Sequence, residues 1–238
     1  MDDIKKLREL NLKETKKKIK DSVKQDTLII QTINHIQDLT KVINILIKDL
    51  REWYSYHKPE FSKNCPDHEI FVNEIIENKD KQIKDGMGAD LSKEDLEPIK
   101  NLTKQIIELY KFKIKQEDYL EKIMTALCPN MTTITGSIIG AKLIQHAGSL
   151  KRLIFLPSST VQLLGAEEAL FRHIKTGAKC PKYGVLHGHP FVSKAKRKDA
   201  GRVARILARK ISIAARVDYA KGNFVGDQLM KQIEEKIK

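Results

Sequence analysis

Two long heptad series constrain the fold of this chain more than any other feature of its sequence. From Ile29 the apolar residues fall at alternating steps of four and three: Ile29, Ile33, Ile36, Thr40, Ile43, Ile47, Leu50 and Tyr54, broken only by Thr40. Leu39, Leu46 and Trp53 widen the stripe on one flank. A 3.5-residue period keeps one helix face turned toward a neighbour, so this segment asks for a long helix with its seam against another helix. The Lys/Glu-rich residues 2–24 extend it N-terminally with weaker periodicity, and Pro59 is expected to end it. The second series runs Ile99, Leu102, Ile106, Leu109, Lys113, Gln116, Leu120, Ile123 and Leu127, with Lys113 and Gln116 as polar interruptions of the kind that fix register. Between them lie a short amphipathic piece (Ile70, Phe71, Ile75, Ile76) and the flexible stretch KDGMGAD. The expectation is an all-α chain whose residues 1–128 form a long antiparallel coiled-coil hairpin, an ordinary helical bundle being the plainer alternative.

After Pro129 the character changes, and residues 129–238 are expected to form a compact helical domain. Gly136, Gly140 and Gly148 sit in a helical pattern where glycine costs about 1 kcal/mol each, which suggests close helix approach. Pro157 with Ser158–Thr160 reads as a break and an N-cap. Residues 177–190 are loop-like, and a strong helix returns from Asp199 to Asp218.

Charge separates the two parts. Residues 136–238 hold 20 Lys/Arg against 7 Asp/Glu, the whole of the formal +13, while residues 1–135 hold 24 of each. Charge packed that tightly repels itself unless a polyanion neutralises it, which points to nucleic acid. Three basic stripes carry the excess. Arg202, Arg205, Arg209 and Arg216 lie within about 60° of one another at helical spacing, with Val203, Ile206, Leu207, Ile211, Ala214 and Val217 on the neighbouring arc. Arg172, Lys175 and Lys179 repeat the pattern on a shorter segment, and Lys194, Lys196, Arg197 and Lys198 precede the arginine helix. Guanidinium forks suit phosphate oxygens. Lys210 falls inside the apolar arc, where it snorkels or pairs.

Other chemistry is poorly supported. GSIIGAK (136–142) is one residue too short for a phosphate loop and lacks the Ser/Thr after Lys. His187 and His189 have no third ligand at helical spacing, so no metal site or cofactor is expected. Glu167 and Glu168 fit the first turn of a helix, where the dipole favours anions; Asp218 is well placed to pair with Arg216. No catalytic residues are assigned, and an RNA-processing enzyme using His187 or His189, or a purely structural oligomeriser, remain the alternatives. Cys65, Cys128 and Cys180 form neither a zinc pattern nor a disulfide framework, which fits a reducing, intracellular compartment. No apolar run approaches the roughly eighteen residues of a membrane span, and the N-terminus lacks a signal-peptide core.

The run LGAEEALFRHIKTGAKCPKYGVLHGHP (164–190), followed by GRVARILARKISIAARVD (201–218), closely resembles the Nop domain, and the heptad segment ending LREWYSYHKPEF (50–61) resembles the coiled coil that precedes it in the archaeal, box C/D branch of the Nop family. The resemblance spans nearly the whole chain. It implies a non-catalytic scaffold of a box C/D-type guide ribonucleoprotein for RNA 2′-O-methylation, recognising kink-turn RNA together with the small ribosomal-like protein seated on it. By the resemblance, Gln162, Leu164, Gly165, Ala166, Glu167 and Glu168 face the kink-turn protein and RNA. Arg172, Lys175, Lys179 and Lys182 continue onto RNA, and Lys194, Lys196, Arg197, Lys198, Arg202, Arg205 and Arg209 grip phosphates. Many members have Lys at the position of Glu168. Self-association is implied through the coiled coil, with Ile33, Ile36, Ile43, Ile47, Leu50, Ile106, Leu109 and Leu120 as its seam. Fibrillarin is implied as a partner only through an N-terminal domain expected to be missing, because the coiled coil begins almost at Met1. The family's basic C-terminal tail is expected to be missing as well. The implied location is cytoplasmic in an archaeon and nucleolar in a eukaryote, with a spliceosomal-type Nop protein as the runner-up.

Overall fold

In the computed structural model, residues 2–77 and 87–237 are described. Every regular element among them is helical. They are α1 (Asp2–Ser22), α2 (Gln25–Ser55), α3 (Pro59–Asn64), α4 (His68–Ile76), α5 (Lys93–Leu127), α6 (Pro129–Thr135), α7 (Ser137–Ala147), α8 (Leu150–Phe155), α9 (Ser158–Leu163), α10 (Glu167–Thr176), a 3-10 turn (Val185–Gly188), α11 (Pro190–Ser193), α12 (Ala200–Tyr219) and α13 (Gly226–Ile237).

Two compact units emerge, residues 34–118 and residues 1–33 with 119–238. The expected boundary at 128/129 therefore falls inside the second unit: the first turns of α2 and the last turns of α5 belong with the domain that follows them. Ile29, Ile33, Leu120, Met124 and Cys128 are fully enclosed, and the Asp26 carboxylate accepts from Leu150 N at 3.3 Å.

In the 34–118 unit α2 and α5 run antiparallel. His35 meets Phe112 edge-on at 5.6 Å, while beyond the other end of α2 the backbone of Ala89 donates to Tyr56 O at 2.8 Å. Ile43, Ile47, Leu50 and Tyr54 of the first heptad series pack with Ile99 and Ile106 of the second, joined by Phe61 of α3 and Phe71, Val72 and Ile75 of α4. The hairpin is thus capped by a small helical head. Arg51 organises it: Nε donates to His68 Nδ1 at 3.0 Å, Nη1 to Ser62 O at 2.9 Å and Nη2 to Cys65 O at 2.7 Å and Asp67 O at 3.1 Å. The same guanidinium lies 4.3 Å from the Phe71 ring centroid. Lys113, one of the two polar interruptions, pairs with Glu117 one turn on at 3.7 Å.

Three local expectations change. The first helix does not continue into the heptad series: Val23 and Lys24 are non-helical, and α1 exposes every side chain described in it, so no core contact aligns it with α2. Helix α2 ends at Ser55, before Pro59, which instead opens α3 at a position where its missing N–H is harmless. In KDGMGAD, residues 84–86 lie outside the described residues. Gly88 is packed so closely that a Cβ there would stand 1.8 Å from His57 O, so that end of the stretch is anchored.

In the other unit α12 is the central helix, packed against α6, α8, α9, α11 and α13. Val203, Leu207, Ile211, Ala214 and Ala215 are buried along it. Of the three glycines expected at close contacts, Gly140 is the tightest, with Met124 Cε and Thr135 Oγ1 at 2.8 and 2.9 Å from a notional Cβ; Gly148 meets Arg152 Nη1 at 3.2 Å, and Gly136 meets nothing within 4 Å. Gly136 and Gly148 end helices at φ 73° and 84°, a region that glycine enters without steric penalty. Pro157 itself occupies the N-cap of α9, and no side chain caps that helix.

Candidate nucleic-acid interface

Helix α12 buries its apolar arc and turns Arg202, Arg205, Arg209 and Arg216 outward. The four are not equivalent. Arg216 Nε donates to Ile154 O at 3.1 Å, and Arg202 Nη2 reaches Lys236 O at the end of α13 at 3.3 Å. Arg205 and Arg209 have no ion pair among the described residues and remain open to a ligand. Lys210 pairs with the Gln232 carbonyl, and partial burial together with nearby Lys236 pushes its ammonium below the ordinary value.

Asp218 does not pair with Arg216. It is buried and accepts from Asn130 N at 3.1 Å, Asn130 Nδ2 at 2.7 Å and Met131 N at 2.9 Å. Two of these donors are first-turn amides of α6, which no carbonyl of that helix can satisfy. Asn130 Oδ1 in turn accepts from Val225 N at 2.6 Å, just before α13. The end of the arginine helix is thereby tied to two neighbours.

The second basic stripe stands on α10, which buries none of its residues. Arg172 and Lys175 are exposed, and the chain leaves the helix through Gly177 at φ 67°, with Lys179 and Lys182 exposed beyond it. Glu167 and Glu168 fill the first turn, as expected. Glu167 Oε1 accepts from Gly165 N at 2.8 Å and lies 3.4 Å from His146 Nδ1.

The loop that follows is anchored. Gly184 N donates to Gln162 O at 3.1 Å and Val185 N to Leu164 O at 2.7 Å. The Gln162 amide donates to Lys182 O at 2.6 Å and reaches Gly201 O at 3.5 Å. A Cβ at Gly184 would sit 1.9 Å from Leu164 O, so this approach requires glycine. Tyr183 and His187 stack with centroids 5.1 Å apart and planes at 8°. With His146, Glu167, Glu168 and Arg172 they line a cavity of about 530 Å³. The aromatic pair was not singled out from the sequence; its signal is the i, i+4 spacing across the loop.

Several assigned residues lie elsewhere than expected. Gln162 and Leu164 are buried and support the loop from beneath, whereas Gly165, Glu167 and Glu168 are exposed and Ala166 partly so. Lys194, Lys196, Arg197 and Lys198 are exposed between α11 and α12. His189 is enclosed: Nε2 faces Ile134 O at 2.9 Å while Nδ1 accepts from Phe191 N at 3.2 Å, capping α11. Burial pushes its imidazole below the ordinary value, and with both nitrogens engaged it is unsuited to proton transfer. No cluster of three His, Cys, Asp or Glu suited to a metal occurs among the described residues.

The residues expected to form the self-association seam are engaged within the chain. Ile33, Ile36, Ile43, Ile47, Leu50, Ile106 and Leu120 are buried within the single chain, and Leu109 is half-buried. Joining a second copy through them would mean opening cores that are already closed.

Against known proteins, the profile described as Nop, "snoRNA binding domain, fibrillarin", matches residues 35–238. The chain belongs to the Nop family. Its relatives include an uncharacterized NOP5 family protein of Methanocaldococcus jannaschii, 37% identical over 94% of this chain and 59% of the relative. Nucleolar protein 56 of Caenorhabditis elegans is 38% identical over 89% of this chain and 50% of the relative. Nucleolar protein 58 of Schizosaccharomyces pombe is 37% identical over 82% and 43%. The chain thus spans about half the length of these curated relatives. A solved fibrillarin/Nop5p complex contains a similar chain, with TM-score 0.56 and 25% identity over 98% of this chain and 77% of that one. Among the described residues of this Nop-family chain, no helix is long and apolar enough to cross a membrane.

Proposed function

We propose that this chain is a non-catalytic RNA-binding scaffold of a box C/D-type guide ribonucleoprotein for 2′-O-methylation, engaging kink-turn RNA together with the small protein bound to it. One observation carries the reading. Arg205 and Arg209 stand exposed and without ion pairs among the described residues on a helix packed against five others, and Lys194, Lys196, Arg197 and Lys198 precede it. Arg172 and Lys175 of α10 and the tethered Lys182 supply further exposed cations. Phosphate contacts of this kind position an RNA, while specificity comes from the surface around Gly165–Glu168 and the Tyr183/His187 stack.

The matching family's description as a snoRNA binding domain supports the RNA, and the solved fibrillarin/Nop5p complex supports fibrillarin as a partner of the particle. Recruitment of fibrillarin is assigned to none of the residues described above. Self-association through the coiled coil remains part of the proposal. The proposed location is the nucleolus in a eukaryotic cell, after the nucleolar relatives, and the cytoplasm in an archaeal one.

The test is a titration of kink-turn RNA with and without its cognate protein. Tight binding is expected only when both are present. Arg205→Ala/Arg209→Ala should weaken it at least tenfold and flatten the salt dependence by about 1.4 to 1.8 in log–log slope, as loss of two phosphate contacts requires. Unchanged affinity in the double variant rejects this face.

A further inference from the structure

The fold redraws the map of charge. Residues 1–33 with 119–238 hold 30 Lys/Arg against 14 Asp/Glu, a formal +16, while residues 34–118 hold 14 against 17, a formal −3. The N-terminal helix, which lies in the neutral half of the sequence, thus belongs to the cationic unit. Its later part and the junction that follows are strongly basic: residues 13–24 contain Lys13, Lys16, Lys17, Lys18, Lys20 and Lys24 against two acids.

Where α1 gives way to α2, Lys18 and Lys24 approach the turn between α7 and α8. With Lys151 they line a groove of about 530 Å³ whose remaining walls are Ser, Thr, Gly and one Asp, with no apolar side chain among them. That carboxylate is already occupied, since Asp26 accepts from Thr27 N at 3.0 Å and Leu150 N at 3.3 Å. Lys18 has a partner, Glu14, at 3.9 Å, but both side chains are highly exposed (82% and 72%), so water screens the pair. Lys24 and Lys151 have no ion pair among the described residues.

We propose that this groove is a second phosphate-contact site for the backbone of a bound RNA. The proposal rests on the RNA-binding reading above and extends it to residues outside the family motifs. Spaced ammonium groups with hydroxyls between them match repeating phosphates. A protein partner would be expected to find aromatic or arginine anchors in a desolvated pocket, and this groove has neither.

The test uses the full chain with Lys18→Ala, Lys24→Ala and Lys151→Ala combined, all three being exposed positions. Binding to kink-turn RNA with its cognate protein is measured from 50 to 200 mM salt, beside the Arg205→Ala/Arg209→Ala variant. The lysine variant should keep its helical circular dichroism, lose affinity at least tenfold at low salt, and show a log–log slope shallower by about 2 to 3. Wild-type slope and affinity in the lysine variant, with binding lost in the arginine variant, overturns the groove and leaves the RNA reading standing. Unchanged binding in both variants overturns both. Loss of polyglutamate binding with an unchanged RNA slope would make the groove a protein contact and equally overturn the proposal.

Discussion

Replacing Asp218 with Ala should unfold more of this protein than any surface arginine could. The carboxylate receives three N–H donors from Asn130 and Met131, at 2.7 to 3.1 Å. Hydrogen bonds to a charged acceptor contribute about 1.5–3 kcal/mol each, and a buried donor left unpaired costs about 1–3 kcal/mol. Because the three share one acceptor they do not simply add, and the expected loss is about 3–6 kcal/mol. For a chain of this size each kcal/mol lowers Tm by about 2–4 °C, so the midpoint should fall by roughly 6 to 24 °C. Thermal melting followed by circular dichroism reads this directly. Asp218→Asn keeps one acceptor oxygen but turns an amide donor toward another N–H, so it should recover only part of the loss. A fall of less than 3 °C for Asp218→Ala would refute the claim that this carboxylate joins α12 to α6.

Two further perturbations test the framework. Arg51→Lys cannot reproduce a fork that serves four acceptors and lies against Phe71; it should destabilise the 34–118 unit by about 2–4 kcal/mol. Hydrogen exchange should show this as lost protection in α3 and α4, and wild-type protection there would contradict the hub role. For His189, burial holds the folded-state pKa below the ordinary 6.5, so the unfolded chain takes up the proton first as pH falls. Its contribution is therefore present above pH 6.5 and is lost progressively on acidification toward the depressed folded value. Denaturation at pH 7 and pH 5 should show the loss, and His189→Gln, which retains a donor for Ile134 O, should flatten it; an equal pH dependence in the variant counts against the assignment.

Where the sequence was legible, the signal was local. The heptads placed Ile29 through Tyr54 on one buried stripe because period is a property of a single helix, and the arginine face of α12 followed from the same geometry. The break at Val23–Lys24 carries no proline or glycine and was invisible. Asp218 was misread because its donors lie 87 and 88 residues away, whereas Arg216 lies only two positions from it. Glycine is ambiguous by nature: the same residue type ends a helix at Gly136 and Gly148 and admits a neighbour at Gly140. At the site, residue type identified the exposed cations, but Gln162 and Leu164 were read as surface because a motif does not reveal which of its members face inward. The heptads leave self-association open in the same way, since a heptad says that a helix has a partner and not which chain supplies it.

The position of Gln162 has a consequence for binding kinetics and thermodynamics. Its side-chain amide holds Lys182 O, reaches Gly201 O at the start of α12, and its own carbonyl receives Gly184 N. One buried residue thus joins the loop and the arginine helix before any RNA arrives. Ordering a free loop residue on binding costs about 1–2 kcal/mol, and here much of that loss is incurred during folding. The free and bound shapes of the loop should therefore be nearly the same, with association resembling the docking of a rigid surface more than the folding of a tail.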